Sequence, residues 1–171
     1  MDRTETGKRI IRDIDVLLRK DSFVSTNFRI EHSGEWKEGI AEEYHERLVL
    51  YPEDNWTDTC GNGFSIEYIY SGEESPLLVF GVRSPYTAPR NMEFTEELVT
   101  MMEGNLKARG VSYETLASSE VLDTHWRICS ILSPVEAEDF KVSDSVSLFL
   151  KVIGEVFVER EKLVRPDYLI F

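Results

Sequence analysis

The sequence predicts an α+β fold, an antiparallel β-meander of about four to five strands flanked by an N-terminal helix, a central helix and a long C-terminal helix. Three observations carry this reading. Phe64, Ile66, Tyr68 and Tyr70 recur with period two, as a strand with one buried face requires. The polar stretch Ser71-Gly72-Glu73-Glu74-Ser75 before the apolar run Leu77 to Arg83 suits a hairpin, whereas parallel strands need a long crossover. Apolar stripes at spacings of three and four residues open and close the chain.

From the N-terminus, Ile10, Ile11, Ile14, Leu17 and Leu18 form one stripe between about Thr4 and Lys20, with Arg9, Arg12, Asp13, Asp15 and Arg19 on the other faces. That is an amphipathic helix. Phe23 to His32 is rich in aromatic and β-branched residues and ends at Ser33-Gly34, so it reads as an edge-type strand. Trp36 to Glu43 has no clear period and reads as irregular or as a second strand. Tyr44 to Tyr51 alternates around Leu48 and Leu50 until Pro52, which has no amide to donate to a ladder.

After Pro85 and Pro89, a helix is expected from about Asn91 to Arg109. Phe94, Leu98, Met101, Met102 and Leu106 make its stripe, Glu93, Glu96 and Glu97 suit its positive end, and Gly110 stops it. His125 to Leu132 alternates again and gives a further strand. Ser133-Pro134-Val135-Glu136 has the form of a capping box with proline at the first helical position, which predicts a short helix there. The last helix, about Asp144 to Val164, carries Val146, Phe149, Leu150, Ile153, Val156 and Phe157, widened by Leu148 and Val152. So broad a stripe serves a buried core or a contact between copies of the chain equally well. Tyr168-Leu169-Ile170-Phe171 is an apolar tail that must dock somewhere.

The 171 residues fit one domain, 1–171, with no repeat or linker to divide them, and 42% hydrophobic content supports a packed core rather than disorder. Cys60 and Cys129 form neither a disulfide framework nor a Cys-x-x-Cys pair, so free thiols are expected. Met1-Asp2-Arg3-Thr4-Glu5 runs into mixed charge without an apolar h-region, and no segment is long enough to span a bilayer. A cytoplasmic location and no membrane partner follow as expectations.

Charge is the most unusual property. The net charge is −13, and Glu31 to Glu74 holds twelve carboxylates against Lys37 and Arg47, which puts −10 in that segment. A field of this sign repels phosphate backbones and disfavours direct nucleic-acid binding.

No motif assigns a reaction, and no cofactor is indicated. A metal centre would draw on His32, Glu35 and His45, but nothing has the spacing of His-Glu-x-x-His. Glu35-Trp36-Lys37 and Asp139-Phe140-Lys141 each fit the acid-x-Lys triplet of magnesium-dependent nucleases, a pattern short enough to arise by chance in a chain with 32 acids. Cys60 lies in the turn-like Asp58-Thr59-Cys60-Gly61-Asn62-Gly63, where acidic neighbours work against a thiolate. Among the clustered aromatics, Trp56 and Tyr86 stand in loops and are the better candidates for a ligand surface.

The favoured expectation is a non-catalytic interaction or regulatory protein whose acidic face, with Glu42, Glu43 and Glu46 at its centre, meets a protein with a basic surface, in its sharpest form by mimicking a nucleic-acid phosphate surface. The rivals are a metal-dependent hydrolase or nuclease and a small-ligand-binding domain.

Overall fold

The computed structural model describes residues 2–37, 43–52, 63–84, 89–115 and 126–164. Helix α1 (Arg3–Lys20) is capped by Asp2, whose carboxylate accepts from the Thr4 amide, and it buries Ile10, Ile11, Ile14 and Leu18. Asp21 then serves two helices. Its amide donates to the Leu18 carbonyl at the end of α1, and its side chain caps α2 (Ser22–Asn27) by accepting from the Val24 amide at 3.0 Å. That cap explains why Phe23 to Asn27 is helical where aromatic and β-branched content suggested strand, because a satisfied N-cap outweighs the modest β preference of so few residues.

Strand β1 (Phe28–Lys37) begins the sheet and is followed by β2 (Glu43–Pro52), β3 (Gly63–Ser71) and β4 (Leu77–Ser84). All pair antiparallel in sequence order, with Trp36 opposite Tyr44, Tyr44 opposite Tyr70, and Ile66 opposite Phe80. The β3–β4 turn uses Gly72 at φ 55°, a left-handed position suited to a residue without Cβ. Helix α3 (Pro89–Arg109) follows, then the two-residue β5 (Glu114–Thr115), β6 (Trp126–Pro134) and α4 (Val142–Val164). The strand order is β1-β2-β3-β4-β6-β5, so five long antiparallel strands carry the sheet and β5 adds a short outer edge.

The capping box expected at Ser133 does not open a helix. Pro134 ends β6 opposite Leu77, the Val135 amide donates to the Pro76 carbonyl, and turns lead on to α4. Glu136, the would-be cap partner, instead takes the Arg3 guanidinium at 2.8 Å. Strand pairing with β4 claims the backbone groups that a capping box would use.

One face of the sheet is covered by helices. α1 lies over β2 and β3, α3 over β4 and β6, and α4 touches both helices. Leu48, Leu50, Phe64, Ile66, Tyr68, Phe80 and Val82 meet Met102, Leu106, Phe149, Val152, Ile153 and Val156 in a single buried cluster. Phe149 stands edge-on to Phe80 at 4.7 Å, and Phe157 meets Phe23 and Phe28. The broad stripe of α4 is thus core. Among the described residues no helix is long and apolar enough to cross a membrane.

Candidate functional site

Strand parity sorts the acidic segment onto two faces of the β1–β2–β3 end of the sheet, because successive side chains point to opposite sides. Tyr44, Glu46 and Leu48 share the helix-covered face with Tyr68 and Tyr70, while Glu43, His45, Arg47 and Glu67 share the other. Among the described residues, the charge that reads as one block along the chain falls on two sides of the sheet.

On the helix side, Glu46 is 5% exposed. Tyr44 donates its hydroxyl to Glu46 Oε2 at 2.5 Å, and His32 meets Oε1 through Nε2. Gly34, directly opposite Glu46 in the register, leaves the room this carboxylate occupies, since a Cβ there would stand 3.2 Å from Glu46 Cδ and closer to Oε2. The network continues through the Tyr44–Tyr70 ring contact to the Thr4 hydroxyl, which bonds the Tyr70 hydroxyl. Burial, reinforced by the bond to Glu46, pushes the Tyr44 phenol well above its ordinary pKa. Tyr68, whose hydroxyl donates to the Arg3 carbonyl at 2.6 Å, is pushed up mainly by burial.

On the opposite side, His45 links two carboxylates. Its Nε2 stands 2.7 Å from Glu43 Oε1 and its Nδ1 3.0 Å from Glu67 Oε1. Arg47 adds its guanidinium 3.7 Å from the same Glu67 oxygen and donates through Nε to Ser33 Oγ at 3.0 Å. Alternation in β3 suggests that Ser65 and Glu67 face solvent, yet both are buried, together with Val49 and Val79 on the same side. A buried carboxylate is tolerated where cations and donors surround it, as His45 and Arg47 do here. Ser65 Oγ is buried and, among the described residues, has no hydrogen-bond partner.

The sequence candidates fall as follows. Glu46 is turned inward, whereas Glu43 keeps 38% of its side chain exposed, so of the pair Glu43 is the one open to a partner. Glu42, Trp56 and Tyr86, like Cys60, His125 and the tail Tyr168 to Phe171, lie outside the described residues. His32 and His45 engage carboxylates on opposite faces of the sheet and do not converge, and the Glu35 backbone pairs with His45. Both ring nitrogens of His45 are occupied by carboxylates. Among the described residues no group of three or more His, Cys, Asp or Glu side chains is arranged to hold a metal ion. The two acid-x-Lys triplets sit at β1 and just beyond β6, strands separated by four strand spacings, or roughly 19 Å.

Sequence reasoning overlooked Glu67, Arg47, Ser33 and Ser65. The signal was present in part, since Glu43, His45 and Arg47 alternate along β2, but only the register sets Arg47 opposite both Ser33 and Glu67. The arrangement provides fixed carboxylates at one end of a sheet, groups that form charge-assisted hydrogen bonds with ammonium or guanidinium groups. Comparison of the chain with family models, with curated proteins and with solved structures finds no match to any of them.

Proposed function

We propose that this protein is a non-catalytic binding protein that offers carboxylates at the β1–β2 end of its sheet to a basic surface of a protein partner. One observation carries the reading: of the segment that holds −10 of the net charge of −13, the carboxylates Glu31, Glu35, Glu43, Glu46 and Glu67 lie on three neighbouring strands at one end of the sheet. Within it, Glu46 and Glu67 are buried and tied to His32, Tyr44, His45 and Arg47. Glu31, 3.4 Å from the Arg29 guanidinium, and Glu43, beside His45, remain accessible to solvent. Buried pairs set the shape of the strands, and the outer carboxylates supply the attraction and the salt-dependent association rate.

The test is titration with a short peptide of alternating lysine and valine, over a range of salt. Glu31→Lys with Glu43→Lys is expected to weaken binding by about tenfold or more. Glu138→Lys with Asp139→Lys changes the net charge equally at exposed positions in the turns after β6 and is expected to leave binding nearly intact. Equal loss in both variants would reduce the effect to net charge, and no loss in the first would refute the proposal.

A further inference from the structure

We infer that the partner's basic segment binds as an added β-strand along the free edge of β1. The inference rests on the reading just given and specifies its geometry. β1 is the terminal strand of the sheet and, among the described residues, pairs with β2 alone. It is ten residues long, and its register runs from Phe28 opposite Pro52 to Lys37 opposite Glu43 without a bulge. Every second residue of such a strand directs its N–H and C=O away from its neighbour.

Exposed edges are usually blunted by short length, charged side chains, proline, bulges or cover. The other edge of this sheet follows that rule, since β5 has two residues. β1 has no proline and no bulge; its charged residues Arg29, Glu31, Glu35 and Lys37 guard it only against pairing that leaves them unmatched, and Glu31, His32, Ser33 and Gly34 are consecutively exposed. At Gly34 that exposure belongs to the main chain, because glycine has no side chain to carry it. The main chain at Gly34 is therefore open to solvent, and strand addition requires such an opening along an edge.

Charge selects the occupant. A second copy brings −13 of its own to an acidic end of the sheet, and like charges oppose that encounter. An extended segment with Lys or Arg at alternate positions instead places its cations on one side of the sheet, beside Glu31 and toward Glu43, while its backbone continues the ladder.

Amide hydrogen exchange across Arg29 to Gly34 tests this, with the alternating lysine–valine peptide as the probe. Its binding is expected to slow exchange at alternate β1 amides, those facing away from β2, by about tenfold or more. N-methylation of the peptide amides along one edge is expected to abolish both binding and protection. Binding with unchanged exchange in β1, or binding indifferent to methylation at either edge, would overturn strand addition while leaving the acidic binding surface standing. Absence of salt-dependent binding would remove that surface, and strand addition with it. Protection that appears with rising protein concentration and no peptide would make a second copy the occupant and refute the basic segment.

Discussion

Gly7 should be the least replaceable glycine of the helices, and alanine there is expected to destabilise the protein although alanine favours helix. Gly7 is buried where α1 crosses β3, against the ring of Tyr68. A Cβ at this position would lie 3.0 Å from Tyr68 Cγ and closer still to Cδ1 and Cε1, whereas carbon atoms pack at about 3.5–4.0 Å. The ring has little freedom to withdraw. Tyr68 is fully buried, its hydroxyl is held by the Arg3 carbonyl at 2.6 Å, and it stands edge-on to Tyr70 at 6.1 Å.

Overpacking of this kind costs about 1–3 kcal/mol, and loss of the Tyr68 hydrogen bond adds about 1 kcal/mol. Helix propensity returns about 1 kcal/mol, leaving a net loss of about 1–3 kcal/mol. In a chain of this length that lowers Tm by about 3–10 °C. Gly104 in α3 and Gly154 in α4 provide internal controls, because an added Cβ there meets nothing within 4 Å. Alanine at either should stabilise by about 0.5–1 kcal/mol. Urea unfolding of the three variants, followed by circular dichroism, makes the comparison. A Gly7→Ala protein as stable as the parent, or three variants that shift alike, would refute the claim that α1 is seated on Tyr68 by a missing side chain.

Ser65→Ala removes a buried hydroxyl that has no partner among the described residues and should leave stability unchanged or raise it by up to about 1 kcal/mol; a loss above about 1 kcal/mol in urea unfolding would show that the hydroxyl is bonded. Phe149→Ala empties the centre of the core against Phe80 and should cost about 3–5 kcal/mol in the same assay, so a cost under about 1 kcal/mol would contradict the packing of α4 on the sheet. Alkaline stability follows from Tyr44 and Tyr68, whose folded pKa values lie above the unfolded value of about 10. Below about pH 10 both states keep these phenols protonated and the stabilisation is complete; above it the unfolded chain releases protons first, so stability falls by about 1.4 kcal/mol per pH unit for each residue. A urea midpoint that holds steady from pH 9 to pH 11, or native-state absorbance showing every tyrosine ionising near pH 10, would count against it.

Much of the architecture is legible in the chain because local rules and the tertiary fold agree there. Ile10, Ile11, Ile14 and Leu18 mark one face of α1, Phe64 to Tyr70 mark β3, and Gly72 marks the turn to β4. Two local signals lose to competing backbone partners: Phe23 to Asn27 is drawn into α2 by the Asp21 cap, and Ser133 to Glu136 is held by pairing with β4. The candidate site was legible only as charge. Composition alone places −10 between Glu31 and Glu74, and period two alone separates Glu46 from Glu43, His45 and Arg47.

Spacing along one strand or helix therefore fixes most of the elements, the apolar faces of α1, β3 and α4, and the sign of the field. Which carboxylates are buried and which stay accessible depends on the fold. Glu67 meets His45 and Arg47, and Glu46 meets His32 beside Gly34, only because the register aligns residues from three strands. A cross-strand partner is fixed by backbone hydrogen bonds between distant segments, and no periodicity within a single segment encodes it.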